Sequence, residues 1–131
     1  MMYLADTHIA LWLVQDEKGM SEKLLSLIDN PHGNWYVSNV SVWEIAIKHA
    51  KHPDIMPVSA KQFHQDCIQS GMKDVYLSLE HIYRTELLPF ESGHGDPFDR
   101  MLLTQAKYED MLLVTHDKRF AIYDDPHVLM V

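Results

Sequence analysis

The chain alternates between short apolar runs and longer segments in which apolar residues recur every three or four positions. The short runs are continuously apolar or rich in aromatic and β-branched residues, which is typical of strands buried on both faces of a sheet. They predict strands over residues 3–5, 35–38, 75–77, 112–115 and 128–131. Strands that alternate with helices in this way indicate a parallel sheet.

The longer segments predict helices, several of which carry start and stop signals. One helix follows the first strand at once and runs to about residue 13, and others cover residues 21–29, 40–51, 59–70, 78–87 and 97–109, with a short helix or turn over 118–123. Ser21 and Ser59 are predicted N-caps, and Gly71 is a predicted stop signal. Asp96 directly precedes Pro97, an order that favours Asp96 as the N-cap of a helix beginning at the proline.

The expected fold class is therefore α/β, with a short parallel sheet flanked by helices on both faces in a three-layer sandwich. At 131 residues the length predicts a single domain covering residues 1–131. Ligands of such folds bind beyond the carboxyl ends of the strands, so functional residues are expected at that edge of the sheet.

Composition and cysteine content restrict the class of protein further. Hydrophobic residues make up 47% of the chain and charged residues 23%, which is ordinary for a folded soluble domain. Cys67 is the one cysteine, so no internal disulfide is possible and a reducing, cytoplasmic setting is expected. The apolar N-terminal run is interrupted by Asp6 and His8 and has no preceding basic residue. It therefore predicts neither a signal peptide nor a membrane span, and we expect no membrane partner.

Four acidic residues lie where this fold would place a functional site. Asp6 follows the first predicted strand, and Asp117 follows the fourth in Thr115-His116-Asp117. Glu44 and Asp99 are predicted to lie in first helical turns. Because crossover helices begin at the edge where parallel strands end, all four carboxylates could converge there.

Converging carboxylates repel one another unless a cation neutralises them. Hard oxygen ligands suit Mg²⁺ or Mn²⁺, which can activate water and neutralise charge on a phosphodiester. The net charge of −8 argues against nucleic acid as a partner, because phosphate binding normally leaves a basic surface. Bound metal cations would answer that objection, since they can meet phosphate themselves.

Three of the four acids also have a purely structural interpretation. Ser41-x-x-Glu44 and Asp96-x-x-Asp99 both resemble capping boxes, in which the fourth residue bonds back to the N-cap amide. Asp117 could cap the segment that follows it or form an Asx-turn. Asp6 is harder to explain without a partner, because an acid inside an apolar run is costly to bury.

Four short motifs in a fixed order resemble the PIN-domain family and, within it, the VapC-type toxins of toxin–antitoxin pairs. They are Leu4-Ala5-Asp6-Thr7-His8, Ser41-Val42-Trp43-Glu44-Ile45-Ala46-Ile47-Lys48, Asp96-Pro97-Phe98-Asp99-Arg100-Met101-Leu102 and Leu113-Val114-Thr115-His116-Asp117. The resemblance implies a PIN-like sandwich and a magnesium- or manganese-dependent endoribonuclease that cleaves RNA with an activated water. It further implies a homodimer and a cognate antitoxin whose tail covers the acidic groove.

The resemblance also implies roles for individual residues. The metal-binding and catalytic acids fall on Asp6, Glu44, Asp99 and Asp117. Asp96 is expected to cap its helix or support the site, and Thr7 and Thr115 are expected to orient carboxylates or water.

Possible RNA contacts come from exposed-looking basic residues near these motifs, although such residues usually only solvate a surface. They are Lys48, Lys51, Arg100, Lys118 and Arg119. Trp12, Trp35 and Trp43 could stack bases, but each lies in an apolar-periodic segment and core or dimer packing is favoured. His94 and His116 flank proposed site acids, and neither is assigned a catalytic role.

Two other classes of function stay open. A phosphoacceptor signalling domain also gathers acids at strand ends, with a Thr and a Lys nearby, here Thr115 and Lys118. The chain lacks the paired acids expected after the first strand of such a domain, because Asp6 stands alone. A non-catalytic scaffold that binds metal or a protein partner is the third hypothesis.

Overall fold

The computed structural model describes residues 1–15, 19–90 and 94–131. Five strands form one sheet in the order β3-β2-β1-β4-β5, and every neighbouring pair is parallel, as the alternation of elements predicted. The strands are β1 (Met2–Ala5), β2 (Asn34–Ser38), β3 (Lys73–Val75), β4 (Leu112–Thr115) and β5 (Val128–Met130).

Helices connect the strands and begin close to the predicted positions. They are α1 (Thr7–Gln15), α2 (Glu22–Ile28), α3 (Asn39–Lys51), α4 (Ala60–Gln69), α5 (Leu79–Arg84) and α6 (Pro97–Glu109), with 3-10 turns at Thr85–Leu87 and Lys118–Tyr123. The predicted N-caps Ser21, Ser59 and Asp96 each accept a backbone N–H of the following helix. Gly71 follows α4 with φ of 95°, a left-handed conformation that glycine adopts without strain.

Two hydrophobic clusters lie on opposite faces of the sheet, because successive strand residues point in opposite directions. Tyr3 and Ala5 of β1 pack with Ile9, Leu24 and Phe63 of α1, α2 and α4. Leu4 belongs to the other cluster, which also contains Leu102 and Leu103 of α6 together with Phe120. The three-layer α/β sandwich is confirmed by this arrangement.

The prediction for the third strand was displaced by two residues. β3 is an edge strand, and Lys73 is exposed while Asp74 is half-buried, so its sequence lacks an apolar signal. The apolar residues Tyr76 and Leu77 that suggested a strand lie beyond it and are exposed.

The prediction that Glu44 lies in the first turn of its helix was wrong. The helix begins at Asn39 with Ser38 as its N-cap, so Glu44 lies in the second turn and Ser41-x-x-Glu44 is not a capping box. Glu44 lies in the second turn because the hydroxyl of Ser38, the last residue of β2, caps the helix by accepting the Val40 N–H at 3.0 Å. Trp43 is 59% exposed, so it does not lie in the core of this chain, whereas Val40, Ser41 and Ile45 are buried. Packing of Trp43 in a dimer stays a prediction.

Cys67 is buried in the first cluster, as expected of a small apolar side chain, and burial raises the pKa of its thiol to about 12. We expect a thiol reagent at pH 8 to label the native protein at least about 100-fold more slowly than the protein in denaturant. Labelling kinetics in the presence and absence of guanidinium would check this. Equal rates under the two conditions would contradict the burial of the thiol.

Within the three described ranges, no helix combines the length and the apolar character needed to cross a membrane.

Candidate functional site

The site lies where β1 and β4, neighbours at the centre of the sheet, reach their carboxyl ends. The chain proceeds from β1 outward to β2 and β3, and β4 then pairs with the opposite side of β1, so this is the point where the strand order reverses. Such a switch point is the usual ligand-binding crevice of an open α/β sheet. Asp6 directly follows β1, and Asp117 follows β4 after His116.

Asp6 is the most buried of the acids, with 7% of the residue exposed. One carboxylate oxygen accepts the backbone N–H of His8 at 3.0 Å, and the other accepts the hydroxyl of Thr115 at 2.6 Å. Burial raises the pKa of Asp6, and the neighbouring charge of Glu44 adds to the rise. The Thr115 oxygen also accepts the Asp117 backbone N–H at 3.0 Å, so Thr115 connects the ends of β1 and β4.

Glu44 of α3 is held from both sides. Because a carboxylate can only accept, the hydroxyl of Thr7 donates to Glu44 Oε1 at 2.7 Å and accepts from Ser41 Oγ at 2.8 Å. Lys48, one turn further along α3, lies 2.8 Å from Glu44 Oε2. The first turn of α1 therefore orients the carboxylate of α3 toward the site.

Asp99 lies in the first turn of α6, as predicted. Its carboxylate contacts His94 and not the backbone of the N-cap residue Asp96. Its Oδ2 lies 3.1 Å from Nε2 of the buried His94. Burial raises the pKa of Asp99 to about 6, and the negative charges of Asp96 and Asp6 contribute. Asp96 caps α6 by accepting from the backbone N–H groups of Phe98 and Asp99 at 2.9 and 3.1 Å.

His94 is the residue that sequence reasoning missed. Its position two residues before the N-cap of α6 was the available signal, but a flanking histidine is a weak one. Its contact with Asp99 depends on how the chain before α6 packs against the segment Lys118–Tyr123, because the ring also contacts Phe120 and Tyr123 of that segment.

Asp117 is the most exposed of the four acids and is neutralised by an arginine. The guanidinium of Arg119 donates from Nε to Asp117 Oδ1 at 3.1 Å and from a terminal nitrogen to Oδ2 at 2.6 Å. These hydrogen bonds lower the pKa of Asp117. The same side chain reaches to 3.7 Å from Asp99, and Asp117 also caps the 3-10 segment Lys118–Tyr123, the structural role considered from the sequence.

One open pocket joins these residues. Its lining consists of Asp6, Thr7, His8, Leu11, Glu44, Lys48, Met56, Asp96, Asp99, His116, Asp117 and Arg119. The structure thus brings the four predicted acids, together with Asp96 and Thr7, to a single cavity, while Thr115 is buried beneath it.

The model of the PIN domain family matches residues 3–126 of the chain. The chain belongs to the PIN domain family. No curated protein sequence matches it significantly.

Solved structures share the fold of this PIN domain over nearly its whole length. A chain of VapBC2 from Rickettsia felis, bound to a DNA fragment from its promoter, has a TM-score of 0.69 at 15% identity and covers 100% of this chain and 98% of its own. A toxin–antitoxin complex from Klebsiella pneumoniae gives 0.65 at 22% identity, covering 98% and 96%. VapBC-1 from nontypeable Haemophilus influenzae gives 0.65 at 17% identity, covering 99% and 98%.

The basic residues predicted to contact RNA fall into three groups in this PIN domain. Lys48 and Arg119 line the acidic pocket and are about half-exposed. Lys51 and Lys118 are exposed, and neither belongs to the lining of that pocket as the described residues form it.

The assignment of Arg100 to RNA contact was wrong. Arg100 is 5% exposed, and its guanidinium donates to the backbone carbonyls of Leu88 and Pro89 at 2.7 and 2.9 Å. The ring of Phe90 covers it at 3.7 Å. Arg100 therefore ties α6 to the chain that follows α5 and lies too deep to reach a polymer on the surface.

The carboxylates of the pocket are suitable ligands for a divalent cation by their chemistry. Their present positions, by contrast, do not form a closed metal site. All are oxygen donors of the kind that Mg²⁺ and Mn²⁺ prefer, and the pKa values of Asp6 and Asp99 are raised by burial and by nearby negative charge. In the described part of the chain, however, no three His, Cys, Asp or Glu side chains converge closely enough to hold a metal ion. Each carboxylate is instead directed by a protein donor.

Proposed function

We propose that this PIN domain is a Mg²⁺- or Mn²⁺-dependent endoribonuclease and the toxin of a toxin–antitoxin pair. The observation that carries the proposal is that Asp6, Glu44, Asp99 and Asp117 line a single pocket at the switch point of the sheet. Burial raises the pKa values of Asp6 and Asp99, so their ionised forms are unfavourable for folding alone, which supports a binding role for them.

The proposed metal ligands are these four carboxylates. A divalent cation bound there would supply charge neutralisation and an activated water for phosphodiester hydrolysis. The hydroxyls of Thr7 and Thr115 fix the orientations of Glu44 and Asp6 through hydrogen bonds of 2.7 and 2.6 Å. These contacts hold the acids in place before any ligand arrives.

Lys48 and Arg119 are proposed to contact RNA phosphate at the rim of the pocket. At present they are paired with Glu44 and Asp117, which are proposed metal ligands. A cation that binds those carboxylates competes with the two basic side chains and leaves them available for a phosphate. Lys51 and Lys118 are exposed and are proposed to add further phosphate contacts, which a chain of net charge −8 needs in order to bind RNA.

The proposed partners are a cognate antitoxin and a second copy of the chain, and the proposed location is the cytoplasm. The support is the fold shared with proteins solved as VapBC or toxin–antitoxin complexes. An antitoxin tail covering the acidic pocket would block access of RNA to the carboxylates.

The test is cleavage of a mixed RNA pool by the purified protein. We expect cleavage with Mn²⁺ and none with excess EDTA, because the acidic pocket repels phosphate unless a cation is bound. Cleavage that persists in EDTA would refute metal dependence. A folded, inhibitor-free protein that binds Mn²⁺ but cleaves no RNA would favour the scaffold hypothesis, and stable labelling by acetyl phosphate would favour the phosphoacceptor one.

Metal binding is also expected to stabilise the fold. A concentration of Mn²⁺ about 100 times its Kd should raise the unfolding midpoint by roughly 10 °C at pH 7.5, measured by calorimetry. Asp99 has a pKa raised to about 6 in the metal-free fold, so its contribution to stability is present below about pH 4 and is lost as the pH rises through 6. Protonation therefore competes with the metal, and the shift in midpoint should be smaller at pH 5. A shift that does not depend on pH would contradict this.

A further inference from the structure

Three polar side chains form a row behind Asp99, on the side away from the solvent. Arg100 lies next to Asp99 in the sequence, yet its guanidinium points to Tyr123, whose hydroxyl oxygen is 3.3 Å away. The Tyr123 hydroxyl lies 2.7 Å from Nδ1 of His94, and Nε2 of His94 lies 3.1 Å from the Asp99 carboxylate. Arg100 and His94 are 5% and 2% exposed.

The chemistry of the two ends sets the direction of every hydrogen bond between them. Arg100 can only donate, so the Tyr123 oxygen accepts from it. The Tyr123 hydroxyl hydrogen then has two acceptors within reach, His94 Nδ1 at 2.7 Å and the His94 carbonyl oxygen at 3.4 Å, and the shorter distance favours Nδ1. Nδ1 is then an acceptor, which places the ring hydrogen on Nε2. Nε2 donates to Asp99, whose ionised carboxylate can only accept.

Packing fixes the row at both ends. Arg100 is anchored by the carbonyls of Leu88 and Pro89, at 2.7 and 2.9 Å. The imidazole of His94 is held edge-on by the ring of Phe120, with centroids 4.9 Å apart. A histidine held in this way has little freedom to turn, so its Nε2–H points in one direction.

We propose that Arg100, Tyr123 and His94 form a directional hydrogen-bond relay that holds Oδ2 of Asp99 and so fixes the orientation of this carboxylate at the acidic pocket. His94 is a positioning residue that acts through Asp99. Its neutral ring carries its hydrogen on Nε2. The inference deepens the proposed function, because Asp99 is one of the proposed metal ligands.

The tautomer is tested first, on the metal-free wild-type protein. Long-range ¹H–¹⁵N correlation of the imidazole nitrogens distinguishes Nδ1–H from Nε2–H directly. We expect His94 as the Nε2–H form, and substitution Tyr123→Phe should weaken that preference because the donor to Nδ1 is lost. Finding His94 as the Nδ1–H form in the wild type would overturn the relay.

Four variants then separate positioning from mere filling of space, with Mn²⁺ affinity measured by calorimetry. His94→Gln can return an N–H donor to the place of Nε2, whereas His94→Asn places its amide near Nδ1 and cannot reach Asp99. His94→Phe keeps the ring and its packing but loses both hydrogen bonds. We expect His94→Phe and His94→Asn to weaken Mn²⁺ binding by about 10-fold or more, His94→Gln by about 3-fold or less, and Tyr123→Phe by an intermediate factor.

Equal Mn²⁺ affinities for His94→Phe, His94→Gln and the wild type would overturn the proposal. Tyr123→Phe and the wild-type spectrum keep it testable even if His94→Phe does not fold. Failure of the proposed function looks different: the wild type would bind Mn²⁺ with the expected order of variants but would cleave no RNA. A wild type that binds no Mn²⁺ would overturn both.

Discussion

Asp6→Asn is expected to reduce metal-dependent RNA cleavage at least about 100-fold. The substitution keeps the shape of the side chain but removes the charge of the most buried acid in the pocket. A neutral amide is a weak ligand for Mg²⁺ or Mn²⁺, so the loss should appear as weaker metal binding together with a lower kcat. The measurement is single-turnover cleavage of RNA over a range of Mn²⁺ concentrations.

The metal-free Asp6→Asn protein should fold with a stability close to that of the wild type, because two opposing effects are expected. Burial raises the pKa of Asp6, which means that the ionised carboxylate is disfavoured in the folded state. Against this, the side-chain oxygen of asparagine can accept the Thr115 hydroxyl, but its amide nitrogen cannot accept the His8 N–H, so one of the two hydrogen bonds to Asp6 is lost. Urea unfolding in EDTA checks this and shows that lost activity is not lost folding.

Asp110→Asn is the matched control. It makes the same chemical change at an acid whose side chain is 93% exposed, and its left-handed backbone, with φ of 55°, suits asparagine as well as aspartate. We expect unchanged cleavage and unchanged metal affinity. Cleavage by Asp6→Asn at the level of the wild type and of this control would show that the pocket is not the catalytic site.

Arg100→Ala is expected to lower the free energy of unfolding by about 3 kcal/mol. The substitution leaves the carbonyls of Leu88 and Pro89 without their donor and removes a planar group packed at 3.7 Å against Phe90. Urea denaturation with a shared m-value measures the loss. If Arg100 contacted RNA, as its sequence context suggested, the variant would keep its stability and bind RNA less tightly.

Arg119→Ala provides the comparison, because it removes an arginine that is 59% exposed. Exposed ion pairs contribute less than about 1 kcal/mol, so stability should change little. Cleavage should fall, since Arg119 lines the pocket and is proposed to contact phosphate. The two arginines are thus expected to separate stability from RNA binding, and similar losses of stability in both variants would contradict the distinction in burial.

The layout of the fold was predictable from the sequence because its signals are local. Continuous apolar runs identified the central strands β1 and β4, which are buried by helices on both faces. Capping residues such as Ser59 and Asp96 marked helix starts, since a cap bonds only to the first turn of its own helix. The location of the acids after β1 and β4 at one edge of the sheet was also predictable, because the carboxyl ends of parallel strands lie at the same edge.

Features that depend on contacts between distant segments were decided by the tertiary structure alone. The predicted range of the edge strand β3 was displaced because this strand is stabilised by pairing with β2 and not by apolar residues of its own. Arg100 looks like a surface residue in sequence, and only its meeting with the carbonyls of residues 88 and 89 shows that it is buried. His94 reaches Asp99 because Phe120 and Tyr123, from a segment more than twenty residues away, hold its ring. Hydrogen bonds and ring contacts of this kind join segments whose spacing in the sequence carries no periodic signal, so pattern analysis has nothing from which to predict them.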